Sequence, residues 1–264
     1  MTHDIALAQR TPTLQESIEL FKNRAVKAKN IFQIEEITKI EAYEFVRQYH
    51  YLGDAKFFCA QAFGLFYKPE RVLIGCATYQ PVQGIAALKS WFGLPNSCTD
   101  IYELGRLCML PELNGTNATS FLLGGSIKLL KKQKTVRAVV TLATSDRHVG
   151  SIYQVCNFKY YGLTDKKTDF YCVDGRKNPR GQTRDLQGVW IDRPQKHRYA
   201  YLLDPSLKVN FAEAEKPQKD NKIINRCCGG TMVVHDARFD RYFTCPICTG
   251  ELREMEKEDA WFLM

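Results

Sequence analysis

The chain has 264 residues, 45% apolar and 25% charged, a balance that excludes a disordered or fibrous protein and suits one well-buried domain plus a small appendage. No run reads as a membrane span, because the longest charge-free stretch, Val72 to Leu88, is broken by Gly75, Gln80, Pro81, Gln83 and Gly84. The net charge of +8 is uneven: residues 1–210 hold 29 Lys/Arg against 19 Asp/Glu (+10) and residues 211–264 hold 8 against 10 (−2), so the larger part suits a polyanionic partner.

The first residues, MTHDIALAQR, carry an early acid and no apolar signal core, which sets a cytoplasmic location as the expectation. Residues 13–29 place apolar side chains at 14, 18, 21 and 25, with acids early and bases late, as an amphipathic helix does. Residues 1–30 therefore read as a helical extension, and a second helix is expected over 39–49. Residues 57–67 and 72–79 are rich in aromatic and β-branched types and are separated by KPER, which predicts a β-hairpin. The next strand, 102–110 (YELGRLCML), holds Gly105 in its interior, the mark of a bulge or of a close backbone approach by a ligand.

After Pro111, the small and cap-forming residues Asn114, Gly115, Thr116, Asn117, Thr119 and Ser120 lead into an apolar helix with a basic end. Such a loop offers backbone N–H groups at a helix N-terminus, where a phosphate is favoured. Residues 136–144 (VRAVVTLAT) form a nearly continuous apolar run, expected as a central strand buried on both faces. A short helix and a strand follow in HVGSIYQVCNFKYYG (148–162). This order predicts an α/β fold, a mixed central sheet flanked by helices. Residues 172–200 hold Arg176, Lys177, Arg180, Arg184, Arg193, Lys196 and Arg198 against three aspartates, with Trp190, His197 and Tyr199 among them, a composition suited to a nucleic-acid backbone.

The stretch EAEKPQKDNK (213–222) is charged and aperiodic, and it places a linker over 211–222 after a main domain of 31–210. Beyond it, four of the ten cysteines crowd into residues 227–248. Cys245-Pro-Ile-Cys248 followed by Thr-Gly has the shape of a zinc knuckle, and Cys228-Gly-Gly supplies a matching half. Cys227 or, alternatively, His235 completes the ligand set. Residues 223–264 thus read as a zinc ribbon holding one structural Zn. The other six cysteines (59, 76, 98, 108, 156 and 172) stand among apolar neighbours and read as buried free thiols.

The order of elements resembles the GNAT acyltransferases. In that family the loop after the bulged strand holds the pyrophosphate of coenzyme A. The resemblance implies acetyl-CoA or another CoA thioester as cofactor, with Gly105, Arg106, Asn114, Gly115, Thr116, Asn117 and Ser120 as its contacts. The loop departs from the usual Gln/Arg-x-x-Gly-x-Gly/Ala pattern. The family's helix text, N-x-x-A-x-x-L-Y-x-x-x-G-F, is met by Asp146, Val149, Ile152, Tyr153, Asn157 and Phe158. It implies that Tyr153 is the acid that protonates the departing thiolate.

A narrower resemblance rests on SDRHVGSIYQVCNFKYYG, YELGRLCML with NATSF, and KHRYAYLL. Together they are similar to the phage Mom family of DNA modification proteins, over residues 40–205. That resemblance implies conversion of DNA adenine to its N6-carbamoylmethyl derivative, protection from restriction, and action in the bacterial host cytoplasm. The N6 lone pair is delocalised into the ring, so the reaction needs proton removal and close positioning. His50 between Tyr49 and Tyr51 is a candidate base, the tyrosines being candidate stacking faces for an extruded base. Asp146, at the end of the expected central strand, and Glu103 are the other candidates for catalysis, and Arg106 competes with them. DNA, as a duplex with a flipped base or as a single strand, is the expected partner. Another amine as acceptor, or a non-catalytic DNA-binding module, remain alternatives.

Overall fold

The computed structural model describes residues 11–50, 56–82, 85–95, 97–145, 149–173 and 187–218, together with short paired strands between 226 and 252. Seven strands form one sheet in the order β1-β2-β3-β4-β5-β9-β6. They are β1 Phe32–Ile37, β2 Gln61–Tyr67, β3 Val72–Pro81, β4 Ile101–Met109, β5 Ala138–Thr144, β6 Lys159–Leu163 and β9 Lys196–Leu202. Neighbours run antiparallel except β4 and β5, which are parallel. The mixed sheet flanked by helices is the fold that the sequence predicts.

Helix α1 (Leu14–Lys22) starts at a capping box, in which the Glu16 amide donates to Thr13 Oγ1 and the Thr13 amide to the Glu16 carboxylate. The expected single helix over 13–29 is interrupted, because Arg24 adopts a left-handed φ of 59° and the chain resumes as a single turn, α2 (Ala28–Ile31). Ile18 and Phe21 lie in the main core, with the Phe21 ring 5.1 Å from that of Phe32, so this helix is part of the domain. Helix α3 (Lys39–Tyr49) repeats the capping box with Thr38 and Glu41 and lays Ala42, Phe45 and Val46 on one face of the sheet, against Cys76 and Cys108.

Helix α4 (Ile85–Phe92) extends that cover, with Leu88, Trp91 and Phe92 against Ile101, Ala138, Val140 and Ala200. The opposite face is covered by α5 (Ala118–Gln133), through Leu122, Leu123, Ile127 and Leu130. Gly125 lets α5 lie close on β1, since a Cβ there would come within 2.0 Å of Ile34 Cδ1 and push that methyl aside. Helix α6 (Ser151–Val155) leads into β6, and β7 (Lys167–Cys172) with β8 (Gly188–Arg193) pair as a separate two-stranded ribbon.

Residues 211–218 are docked on this body. Phe211 packs 5.4 Å from the Trp91 ring, Lys159 pairs with Glu213 at 2.8 Å, and the Ala214 amide donates to the Tyr160 carbonyl. The six thiols outside the C-terminal segment are unbridged, but only Cys59, Cys76 and Cys108 are buried as expected, Cys98, Cys156 and Cys172 being half-buried. Near the C-terminus, β10 (Arg226–Cys227) pairs with β11 (Gly230–Thr231), and β12 (Val233–Ala237), β13 (Asp240–Thr244) and β14 (Glu251–Leu252) form a three-stranded sheet.

Candidate active site where two parallel strands part

Strands β4 and β5 share ladder positions only at Ile101–Glu103 against Ala138–Val140. Beyond these, β4 stays with β3 as far as Met109 and β5 stays with β9 as far as Thr144, so their C-terminal halves diverge into a wedge. The register slips on the β4 side: Thr78 faces Arg106, yet Tyr79 faces Leu104, which leaves Gly105 as the bulged residue. A Cβ at Gly105 would lie 3.2 Å from Thr78 Oγ1, so a larger residue would crowd the partner strand.

The α3 face of this wedge gathers ionisable groups. Burial raises the Glu103 carboxyl above the usual carboxylate range, against the pull of Lys196, a hydrogen bond from Gln80 and Arg106. His50 closes the C-terminus of α3, its amide donating to the Val46 carbonyl at 2.9 Å. Burial first, and the Arg106 charge second, lower its pKa to about 4, so its ring is neutral at pH 7. Arg106 donates from Nη1 to the Gly105 carbonyl at 2.9 Å and holds its guanidinium 5.1 Å from the centre of the Phe57 ring. Phe57 is fixed in turn by stacking on Tyr43 at 4.4 Å and by a hydrogen bond from the Tyr43 hydroxyl to its carbonyl. A neutral imidazole and a carboxyl of raised pKa thus lie on one side of the wedge, where the desolvated carboxylate is a stronger proton acceptor than an exposed one.

Tyr153 lies on the other face. It packs 5.4 Å from Tyr199 and 5.7 Å from Phe158, in the core beneath α5. Its ring therefore packs in the cluster on the α5 side of the sheet, whereas α3 covers the other side. The loop at 114–120 also belongs to the α5 side. Gly115 there has φ 75°, Thr116 Oγ1 accepts from the Ala118 amide at 3.2 Å, and Ser120 Oγ donates to the Asn117 carbonyl at 2.9 Å. Asn117 caps α5 without a side-chain hydrogen bond, which leaves helix amides for another acceptor. The loop fits a phosphate through backbone groups alone, since residues 114–120 hold no Lys or Arg.

Several expected partners of DNA are placed otherwise. Lys196 stands on the far lip of the wedge, close enough to Glu103 to lower its pKa. His197 does not face solvent: strand alternation buries it, with Nδ1 at 2.9 Å from the Tyr160 hydroxyl. Arg198 is only 12% exposed, stacked 4.2 Å over the Phe211 ring and paired with Asp165 at 3.5 Å. Tyr49 is held in the core by Phe45 at 4.8 Å. Tyr51, Asp146, Arg176, Lys177, Arg180 and Arg184 lie outside the described residues, as do Cys228, Cys245, Cys248 and the side chains of Cys227 and His235. Among the described residues no cluster of His, Cys, Asp or Glu is fit to hold a metal, and no helix is long and apolar enough to cross a membrane.

Thr78 and Gln80 are the residues that sequence reasoning missed. The available signal was two polar residues at alternate positions of an otherwise apolar strand, GCATYQP.

A family model described as the Mom protein family matches residues 31–219. No curated protein matches the chain. Among solved structures, it is similar to a spermidine/spermine N-acetyltransferase from Vibrio cholerae, at 10% identity and TM-score 0.43 over 67% of this chain and 95% of that one. It is also similar to the ribosomal-protein-S18-alanine N-acetyltransferase from Escherichia coli, at 13% identity and TM-score 0.40 over 67% and 96% of the two chains. A GNAT family acetyltransferase from Elizabethkingia anophelis with acetyl-CoA bound gives 13% identity and TM-score 0.39 over 66% and 99%.

Proposed function

The chain belongs to the Mom protein family, and from that premise we propose that it is a transferase that alters the exocyclic N6 of adenine in DNA. The observation that carries this reading is the meeting of Glu103, His50 and Arg106 on one side of the β4–β5 wedge. An adenine amine becomes nucleophilic only as it loses a proton, and a carboxylate beside it can accept that proton. Glu103 takes this role, since its raised pKa makes it a stronger base than an exposed carboxylate. His50, neutral at pH 7, accepts or donates a hydrogen bond without adding charge, and Arg106 offsets the carboxylate.

A base stacked in a duplex cannot enter such a wedge, so the substrate is a flipped or single-stranded adenine. The +10 charge of residues 1–210 supports attraction to the DNA backbone. A CoA thioester, where bound, would supply a carbonyl carbon that turns an amine into an amide with release of the thiol, whereas a carbamoylmethyl group, joined to N6 through its CH2, calls for a glycine-derived donor. The groups of this chain that would hold the thioester are the loop amides of Gly115, Asn117, Thr119 and Ser120, those of Thr116 and Ala118 being bonded to the Leu113 carbonyl and to Thr116 Oγ1.

Mass spectrometry of nucleosides digested from DNA of cells expressing the full chain tests this reading. A deoxyadenosine about 57 Da heavier is the expected carbamoylmethyl product, while about 42 Da would mark simple acetylation. A heavier pyrimidine would move the acceptor, and DNA without any new nucleoside would overturn the proposal.

A further inference from the structure

Among the described residues, three buried side-chain atoms have no hydrogen-bond partner: Thr78 Oγ1, Gln80 Oε1 and Arg106 Nε. Buried polar atoms are paired in the great majority of cases, so three orphans on one pair of strands point to an absent partner. They are neighbours by register, Thr78 facing Arg106 and Gln80 facing Glu103 across β3 and β4. Thr78 is fully buried, and it shares the α3 side of the sheet with Arg106.

The chemistry of each atom limits what that partner can be. Arginine Nε only donates, an amide Oε1 only accepts, and a threonine hydroxyl does either. The orientation of Gln80 is set by Glu103, whose carboxylate accepts from the Gln80 amide N–H, leaving Oε1 as the open acceptor. The patch thus presents one fixed acceptor beside Glu103, one fixed donor, and an adaptable hydroxyl. Its complement is a planar group with an N–H donor next to a lone-pair acceptor.

We infer that Thr78, Gln80 and Arg106 form the edge that reads the target base, Gln80 Oε1 accepting from an exocyclic amine and Arg106 Nε donating to the ring nitrogen beside it. This rests on the proposed function and specifies how the substrate is chosen at that site. Adenine offers this pattern at N6 and N1, and cytosine offers it at N4 and N3. Hypoxanthine presents the reverse pattern, and purine lacks the amine. The order also explains the position of Glu103: the amine bonded to Gln80 has its second hydrogen free for the neighbouring carboxylate. The three atoms are closed to solvent, and the Arg106 guanidinium is roofed by Phe57, which lies outside any helix or strand. The entering base must therefore displace that ring.

Fluorescence anisotropy of the full chain with short single-stranded thymine oligonucleotides tests the inference. Each strand carries one central adenine, cytosine, purine or hypoxanthine. The expected result is binding roughly 5- to 150-fold tighter for adenine or cytosine than for purine or hypoxanthine, the span given by one good bidentate base contact. Whichever of the two is preferred names the base. Gln80→Met should erase the preference and Thr78→Val should reduce it; the second variant serves if the first fails to fold, and the base series on the natural chain needs neither. Equal binding of all four strands, or a preference that survives in a folded Gln80→Met, overturns the inference even if modified DNA is found in cells. A clear base preference in a chain that modifies no DNA upholds it and fails the proposed activity instead.

Discussion

The two faces of the central sheet treat buried polar groups in opposite ways. Beneath α5 they are paired with one another: the Tyr79 hydroxyl donates to Ser126 Oγ at 2.6 Å, Ser126 donates on to the Leu123 carbonyl, and Ser17 meets Tyr67 at 2.8 Å. On the α3 face, Thr78, Gln80 and Arg106 keep unpaired atoms beside two groups with shifted pKa values. Both faces belong to the same strands, with Tyr79 next to Thr78 and Gln80, so proximity alone does not account for the difference. Paired hydroxyls specify a core, whereas unpaired and desolvated ones are a cost that folding alone does not explain.

The largest effect that separates the faces is on rate. Glu103→Gln should slow adenine modification by roughly 10²–10⁴-fold, the usual contribution of a positioned base, with an unfolding midpoint at pH 7 that does not fall, since the desolvated charge is removed. An unchanged rate, measured as modified deoxyadenosine per unit time, would remove Glu103 from the chemistry. The next effect is on stability and runs the other way. Ser126→Ala strands the Tyr79 hydroxyl in the core and should cost about 1–3 kcal/mol in denaturant unfolding. Thr78→Val removes a hydroxyl that has no partner and should cost no stability at all. If the two substitutions destabilise equally, the contrast between the faces fails.

A pH dependence follows from His50. In the fold it stays neutral down to about pH 4, whereas in the unfolded chain it takes up a proton near 6.5. Between these values the unfolded state binds more protons, so stability falls as the pH drops through that window and is unaffected by this group above it. His50→Gln should flatten that part of the curve. A negligible effect belongs to the surface too: Lys159→Ala breaks an exposed pair with Glu213 and should leave the unfolding midpoint where it was.

How far the sequence can be read depends on whether a feature is local. The hairpin turn at KPER, the bulge at Gly105 and the apolar run of β5 each carry their signal in adjacent residues, and the sheet was predictable from them. Glu103, Arg106 and His50 could be named as candidates, but nothing in the text joined Gln80 to Glu103, because the β3–β4 register does that. Charge misled most. Arg198 and His197 sit in a basic run, yet alternation along β9 turns one onto Phe211 and the other inward to Tyr160. The charged stretch after Phe211 resembled a linker, although its first residues are anchored through Trp91, Lys159 and Tyr160.

The most direct test of the claim that the α3 face does the chemistry is a crystal structure of the full chain with a short single-stranded oligonucleotide containing one adenine. The account predicts the adenine N6 within hydrogen-bond reach of Glu103 and Gln80, about 2.6–3.2 Å, with Phe57 displaced. An adenine bound on the α5 face, or bound away from β4 with Thr78, Gln80 and Arg106 still unpaired, would contradict it.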